Sequence, residues 1–292
     1  MSTPFFGYHM PSFSFEVPPE KLFDHVAGLA ASAEQAGFDL VTVMDHFYQI
    51  GAVGPETEPM LEAYTLLGGL AARTRRVRLA TLVTGVTYRN PALLVKMVTT
   101  LDVVSAGRAV LGIGAAWNES EHAGLGFEFP RIGEREDRLE EALEIARLMF
   151  NEERPSYGGE HYRIERAINS PRPLQQGGPP ILVGGDGEKR TLRAAARYAD
   201  WTHWFPRPVE ELKHKLDVFA RHCADAGRDA SQVMKLMGAP PEVKVDTPVD
   251  QAAELLQPYL EMGFAGFTFR NATYDTPAKL ERLGELKRRL AA

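Results

Sequence analysis

The feature that most constrains this chain is an alternation of short apolar runs with amphipathic helical stretches along its whole length. Phe5 to His9, Leu40 to Met44, Val77 to Val83 and Ala109 to Gly114 read as strands. So do Ile181 to Val183, Trp201 to Phe205, Val233 to Met237 and Gly266 to Phe269. Between them apolar residues recur at helical spacing, as in Leu22, Val26, Leu29, Ala30, Ala33 and in Leu139, Leu143, Ala146, Phe150. Short strands without polar alternation, joined by helices, call for a parallel sheet covered on both faces. Eight such units are the number that closes. The predicted fold is therefore α/β, a (β/α)8 TIM barrel, with residues 1–292 as one domain. An open doubly wound sheet usually has fewer strands. The stretch 151–179, rich in Pro, Gly and Arg, reads as an insertion between helix four and strand five, with a hairpin around Tyr157-Gly158-Gly159.

Charge and composition narrow the partners. A net charge of −6 argues against nucleic acid or an anionic membrane surface. No apolar run approaches the ~18 residues of a membrane span, and the start lacks a basic leader, so a soluble, cytoplasmic protein is expected. The single cysteine, Cys223, falls on the apolar stripe Leu212, Leu216, Phe219 and reads as a buried thiol rather than a nucleophile.

In parallel barrels chemistry gathers at the carboxyl ends of the strands. One such end, Pro180 to Thr191, runs from an apolar strand through Gly184-Gly185-Asp186-Gly187-Glu188-Lys189 into a helix. Glycines allow close backbone approach, and a helix start offers N–H groups to an anion. Lys189, Arg190 and Arg193 would add charge, so the turn reads as an anion cradle, with a plain tight connection as the alternative. The sharpest polar pair is Asp45-His46. Adjacent strand residues point to opposite faces, which argues against a shared metal ion, and no metal is expected. A proton-handling role for His46 and a hydrogen-bonding role for Asp45 fit better. Trp117 and Asn118 at the end of strand four suit a flat, hydrogen-bonding ligand. The acidic residues beyond them, up to Asp137, read as a solvated helix start.

Taken in order, these stretches resemble the luciferase-like monooxygenase superfamily, and within it the branch using the deazaflavin coenzyme F420. The matching segments are Ala36 to Asp39, Val43 to Phe47, Arg76 to Gly85, Asn90-Pro91, Thr100 to Arg108, Leu111 to Gly114 with Trp117-Asn118, and the Gly184 turn through Asp200. The resemblance implies an F420-dependent oxidoreductase that transfers a hydride between the deazaflavin and a small organic substrate. It also implies a non-proline cis bond at Leu82–Val83 behind the ring, with Leu82, Val83 and Thr84 against it and Asp45 hydrogen-bonded to it. The phosphate would sit at Gly184, Gly185, Gly187, Glu188 and Lys189, with Asn118 also contacting cofactor. His46 would be the catalytic proton source, and His9 and Trp117 would shape the substrate side.

The chain departs from the sugar-phosphate dehydrogenases of that branch. They carry a Trp shortly after the His and a Glu at the strand-four end, where this chain has Phe47-Tyr48-Gln49-Ile50 and Ala115-Ala116-Trp117. That argues against a sugar-phosphate substrate. Three alternatives stay open: an FMN-dependent monooxygenase supplied with reduced flavin by a partner reductase, a cofactor-binding protein without turnover, and a lyase or isomerase. A homodimer is the family-based expectation.

Overall fold

The computed structural model describes residues 3–292. The chain runs through β1 (Phe5–Met10), α1 (Pro19–Gln35), β2 (Leu40–Asp45), α2 (Ala63–Arg73), β3 (Arg78–Gly85), α3 (Pro91–Val104) and β4 (Ala109–Gly114). There follow α4 (Glu119–Leu125), α5 (Ile132–Asn151), a hairpin of β5 (Tyr157–Gly158) and β6 (Arg163–Ile164), and β7 (Ile181–Gly184). The last third holds α6 (Thr191–Tyr198), β8 (Trp201–Trp204), α7 (Val209–Asp225), β9 (Met234–Gly238), α8 (Val249–Glu261), β10 (Gly266–Arg270) and α9 (Pro277–Ala291).

All barrel strands pair in parallel and close in the order β1-β10-β9-β8-β7-β4-β3-β2. The expected TIM barrel is what forms. Helix starts follow local chemistry: the Glu62 side chain accepts from Thr65 N at 2.7 Å, and Asn90 accepts from Ala92 N at 3.0 Å with Pro91 at the first position. The expected hairpin lies in the 151–179 segment at 157–164. One element was not expected. Residues 119–125 form the two-turn helix α4, too short and too polar for a hydrophobic period to reveal.

Two layers of apolar packing explain where a ligand can go. Inside the barrel, Leu40, Ala80, Val110, Leu182 and Leu236 fill the amino-terminal half. Outside, the helices cover the strands with a continuous core that includes Phe6, Leu67, Leu143, Phe219 and Cys223. Burial raises the Cys223 thiol, in keeping with an inert residue. The carboxyl-terminal half of the barrel is left for the site. There β3 breaks register with β4 between Ala80 and Thr84, and the Leu82–Val83 peptide bond is cis.

Candidate active site

The carboxyl ends of the barrel strands open on a cavity of about 550 Å³. Its first wall comes from β2, β3, β4 and β7. It presents Met44 and His46, then Leu82, Val83 and Thr84, then the glycines Gly114, Gly184 and Gly185. A Cβ on Gly184 would lie 2.7 Å from Val83 Cγ1, so only glycine lets β7 lie flat against the cis segment. Gly185 takes φ +109°, a conformation other residues rarely adopt.

Strand alternation decides what β2 contributes. Thr42, Met44 and His46 face inward, the Thr42 hydroxyl holding His9 Nδ1 at 2.9 Å. Asp45 is not among the cavity-lining residues, where the expectation placed it against a cofactor ring. Its carboxylate is buried and bound twice by Arg89, Nη1 at 2.5 Å and Nη2 at 3.1 Å. Arg89 also reaches Glu62 at 2.6 Å and lies over the Tyr64 ring, whose hydroxyl meets Thr84 Oγ1 at 2.8 Å. Burial raises the Asp45 carboxyl while Arg89 pulls the other way. Asp45 braces the back of the wall.

His46 is 12% exposed, and its ring meets Trp117 edge-on at 5.5 Å. Its Nδ1 lies 2.5 Å from Glu121 Oε1, and its Nε2 has no partner among the described residues. Glu121, on α4, is fully buried and also accepts from the Tyr88 hydroxyl at 2.5 Å and the Phe47 amide at 2.7 Å. Burial alone would raise its carboxyl, but the bonds from His46, Tyr88 and Phe47 outweigh it and hold the group below the usual range. Sequence reasoning placed this residue in a solvated helix start. Nothing in Glu119-Ser120-Glu121-His122 separates the exposed Glu119 from the buried Glu121; only the docking of α4 against Tyr88 and Phe47 does. Just before α4, Ala116 takes a positive φ of 62° and Trp117 projects at the cavity mouth, 61% exposed.

The glycine turn differs in detail from its reading. Gly185 N–H is spent on His203 O at 2.9 Å, whereas the amides of Asp186 and Gly187 have no acceptor among the described residues. Gly187, Glu188 and Lys189 do not line the cavity. Glu188 turns to Lys215 at 3.1 Å and His214 at 3.3 Å. Arg190 is tied to Asp137 and Glu140, and Arg193 to Glu140 at 2.8 Å, so neither adds free charge. Behind the turn stand instead Arg207, bound to the Asp186 carboxylate, and buried Lys215, donating to Asp186 O at 3.0 Å. Asn118 also leaves the wall: its side chain accepts from Ser120 Oγ at 3.1 Å, and its carbonyl meets His122 Nδ1 at 2.6 Å.

The second wall, from β1, β8, β9 and β10, carries His9, His203, Phe205, Gly238 and Arg270. His203 Nε2 meets Thr268 Oγ1 at 2.8 Å. Burial, reinforced by Arg270, pushes His203 down to about 4. Burial with His203, Arg270 and His46 nearby pushes His9 down to about 3. Both rings are neutral at pH 7. The Arg270 guanidinium has no bond to another described residue. Among the described residues no group of three or more His, Cys, Asp or Glu is placed to hold a metal ion, and no helix is long and apolar enough to cross a membrane.

Comparison with known proteins adds to this geometry. The family model for luciferase-like monooxygenases matches residues 6–289. An F420-dependent glucose-6-phosphate dehydrogenase of Microbacterium testaceum is 36% identical over 95% of this chain and 79% of its own. A protein of the same name from Nakamurella multipartita is 30% identical over 96% of this chain and 78% of its own. Among solved structures, an F420-dependent secondary alcohol dehydrogenase in complex with an F420–acetone adduct superposes with a TM-score of 0.82 at 19% identity, covering 99% of both chains. That last likeness is one of fold.

Proposed function

This chain belongs to the luciferase-like monooxygenase family, and from that membership we propose that it is a coenzyme F420-dependent oxidoreductase acting on a small organic substrate. The observation that carries the reading is the first wall of the cavity. A flat, apolar stretch at Leu82–Val83 meets Gly184 and Gly185, just past which the Asp186 and Gly187 amides are unclaimed, beside one imidazole whose Nε2 has no partner among the described residues. The residues present fit a large ring bearing a phosphate. Leu82, Val83 and Thr84 would lie against the ring, and Gly184, Gly185 and the amides of Asp186 and Gly187 would receive the phosphate. The sequence relatives named for F420 decide in favour of that coenzyme over FMN.

When bound, F420 supplies two-electron hydride chemistry. The protein's own residues orient, exclude water and handle a proton. Trp117 and Phe205 shield the mouth, His9 and Arg270 face the substrate space, and His46 Nε2 exchanges a proton with the reacting oxygen or nitrogen. The regions that carry a Trp and a Glu in sugar-phosphate dehydrogenases of this branch read Phe47 to Ile50 and Ala115-Ala116-Trp117 here, with Ile50, Ala115, Ala116 and Trp117 lining the cavity, so glucose 6-phosphate is not carried over from the relatives' names.

Spectral titration of the purified protein with F420 and, separately, with FMN tests the assignment. Saturable perturbation of the F420 spectrum at micromolar concentration is expected, with FMN much weaker. The reverse order, or no perturbation by either, overturns it. The F420 complex, offered alcohols and glucose 6-phosphate in turn, then identifies the substrate by cofactor bleaching.

A further inference from the structure

Glu121 is surrounded only by donors. Its Oε2 accepts from the backbone amide of Phe47 at 2.7 Å, with the Tyr48 amide at 3.5 Å. Its Oε1 lies 2.5 Å from both His46 Nδ1 and the Tyr88 hydroxyl. The carboxyl is held below its usual range, so it carries no proton to give. Burial leaves no water to take over any of these bonds. A neutral imidazole facing such an oxygen must carry its single proton on the nitrogen that meets it.

We propose that Glu121 is the positioning residue that fixes His46 as the Nδ1–H tautomer and so presents an unprotonated Nε2 to the cavity. His46 is then set to take a proton from a ligand hydroxyl. The inference rests on the proposed function only for what Nε2 meets; the tautomer belongs to the free protein. Glu121 touches neither ligand nor reacting atoms. Through its four donors it locks the ends of β2 and β3 to α4, and one bond of that lock sets the proton on His46.

Glu121→Gln keeps the shape and replaces one oxygen by an NH2. A backbone N–H can only donate, so the carboxamide oxygen must stay on Phe47, and the NH2 must face His46. Nδ1 then has to accept, and the proton moves to Nε2. The Tyr88 hydroxyl rotates to accept as well. The substitution inverts the tautomer rather than merely loosening the ring.

Nitrogen-15 histidine correlation spectra of the cofactor-free protein at about pH 8 read this directly. Wild type should show His46 protonated at Nδ1 and bare at Nε2, and Glu121→Gln should show the opposite. Tyr88→Phe removes one donor and leaves the carboxylate, so it should keep the wild-type pattern. In the F420 complex, Glu121→Gln should lower kcat about 10–100-fold with F420 affinity within twofold, since one positioned proton acceptor is lost. A wild-type Nε2–H tautomer, or an unchanged tautomer in Glu121→Gln, overturns the proposal. Should Glu121→Gln not fold, the wild-type and Tyr88→Phe spectra still decide it. Failure of F420 to bind, with the tautomer as stated, would count against the proposed function alone.

Discussion

The two walls of the cavity are built on opposite plans. On the β2–β3 side every charged group is already matched within the protein: Asp45 by Arg89, Arg89 again by Glu62, and Glu121 by four donors. On the β8–β10 side two imidazoles are held by single hydroxyls, and Arg270 by nothing among the described residues. Matched groups fix geometry before a ligand arrives, whereas unmatched ones leave bonds for a ligand to make. The first wall therefore reads as preorganised for chemistry and the second as completed by substrate.

The sharpest way to break this contrast is to unmatch the first wall. Arg89→Leu leaves the buried Asp45 carboxylate without its bidentate partner. Breaking such a pair from one side costs about 3–5 kcal/mol, because the remaining charge stays desolvated. Urea unfolding should show a loss of that size. A loss below about 1 kcal/mol would mean that the Asp45–Arg89 pair does not brace the wall.

His46→Ala probes the chemical end of the same wall. It removes the free Nε2 and leaves Leu82, Val83 and the glycine turn untouched. Turnover should fall about 100-fold or more, the usual contribution of a positioned acid or base, while the F420 titration midpoint stays within a few-fold. Unchanged turnover would remove His46 from the mechanism and leave the wall as a binding surface only.

How legible this was in the sequence varies with physical scale. The strands appeared within a residue or two because burial on both faces writes long apolar runs. The Asp45-His46 pair was visible too, and strand alternation already argued against a shared metal; the same rule puts Asp45 behind the wall. Glu121 was not legible. Its burial depends on how a two-turn helix docks, which no local pattern encodes. Part of the family pattern is architecture rather than chemistry. Arg108 caps carbonyls of Ala71 and Val77 at 3.0 and 2.7 Å, and Asp102 accepts from Leu174 N at 2.7 Å. Arg190 and Arg193 looked like cradle charges because sequence shows a basic run but not the Glu140 and Asp137 that face it from α5, while Lys189 is exposed outside the cavity lining.

The walls should also fail in different pH windows. His9 and His203 are pushed down in the folded protein, to about 3 and about 4, against about 6.5 in the unfolded chain. The unfolded chain binds the extra protons, so their stabilisation is complete above about pH 6.5 and is lost as pH falls toward 4. Glu121 is also depressed, but its loss begins only below the ordinary carboxylate value of about 4.3. Between pH 7 and 5 the second wall alone should weaken, by about 2 kcal/mol per ring. A His9→Asn/His203→Asn double variant should lose correspondingly less stability over that interval than the parent. An identical acid slope in both would place these rings in ordinary solvent.

Arg270→Met has the smallest expected effect on the fold and tests the unmatched wall most directly. A group that makes no bond to another described residue gives little up when removed, and its removal takes away the charge that helps hold His9 and His203 neutral. Unfolding free energy should stay within about 0.5 kcal/mol of the parent, the range of surface changes far from any network. The pH at which the two rings titrate should rise, because a nearby like charge is gone. Histidine resonances followed by NMR from pH 7 down through the parent titrations near 4 and 3 measure that rise. A destabilisation of 2 kcal/mol or more would reveal a partner within the chain, and the second wall would then be matched like the first.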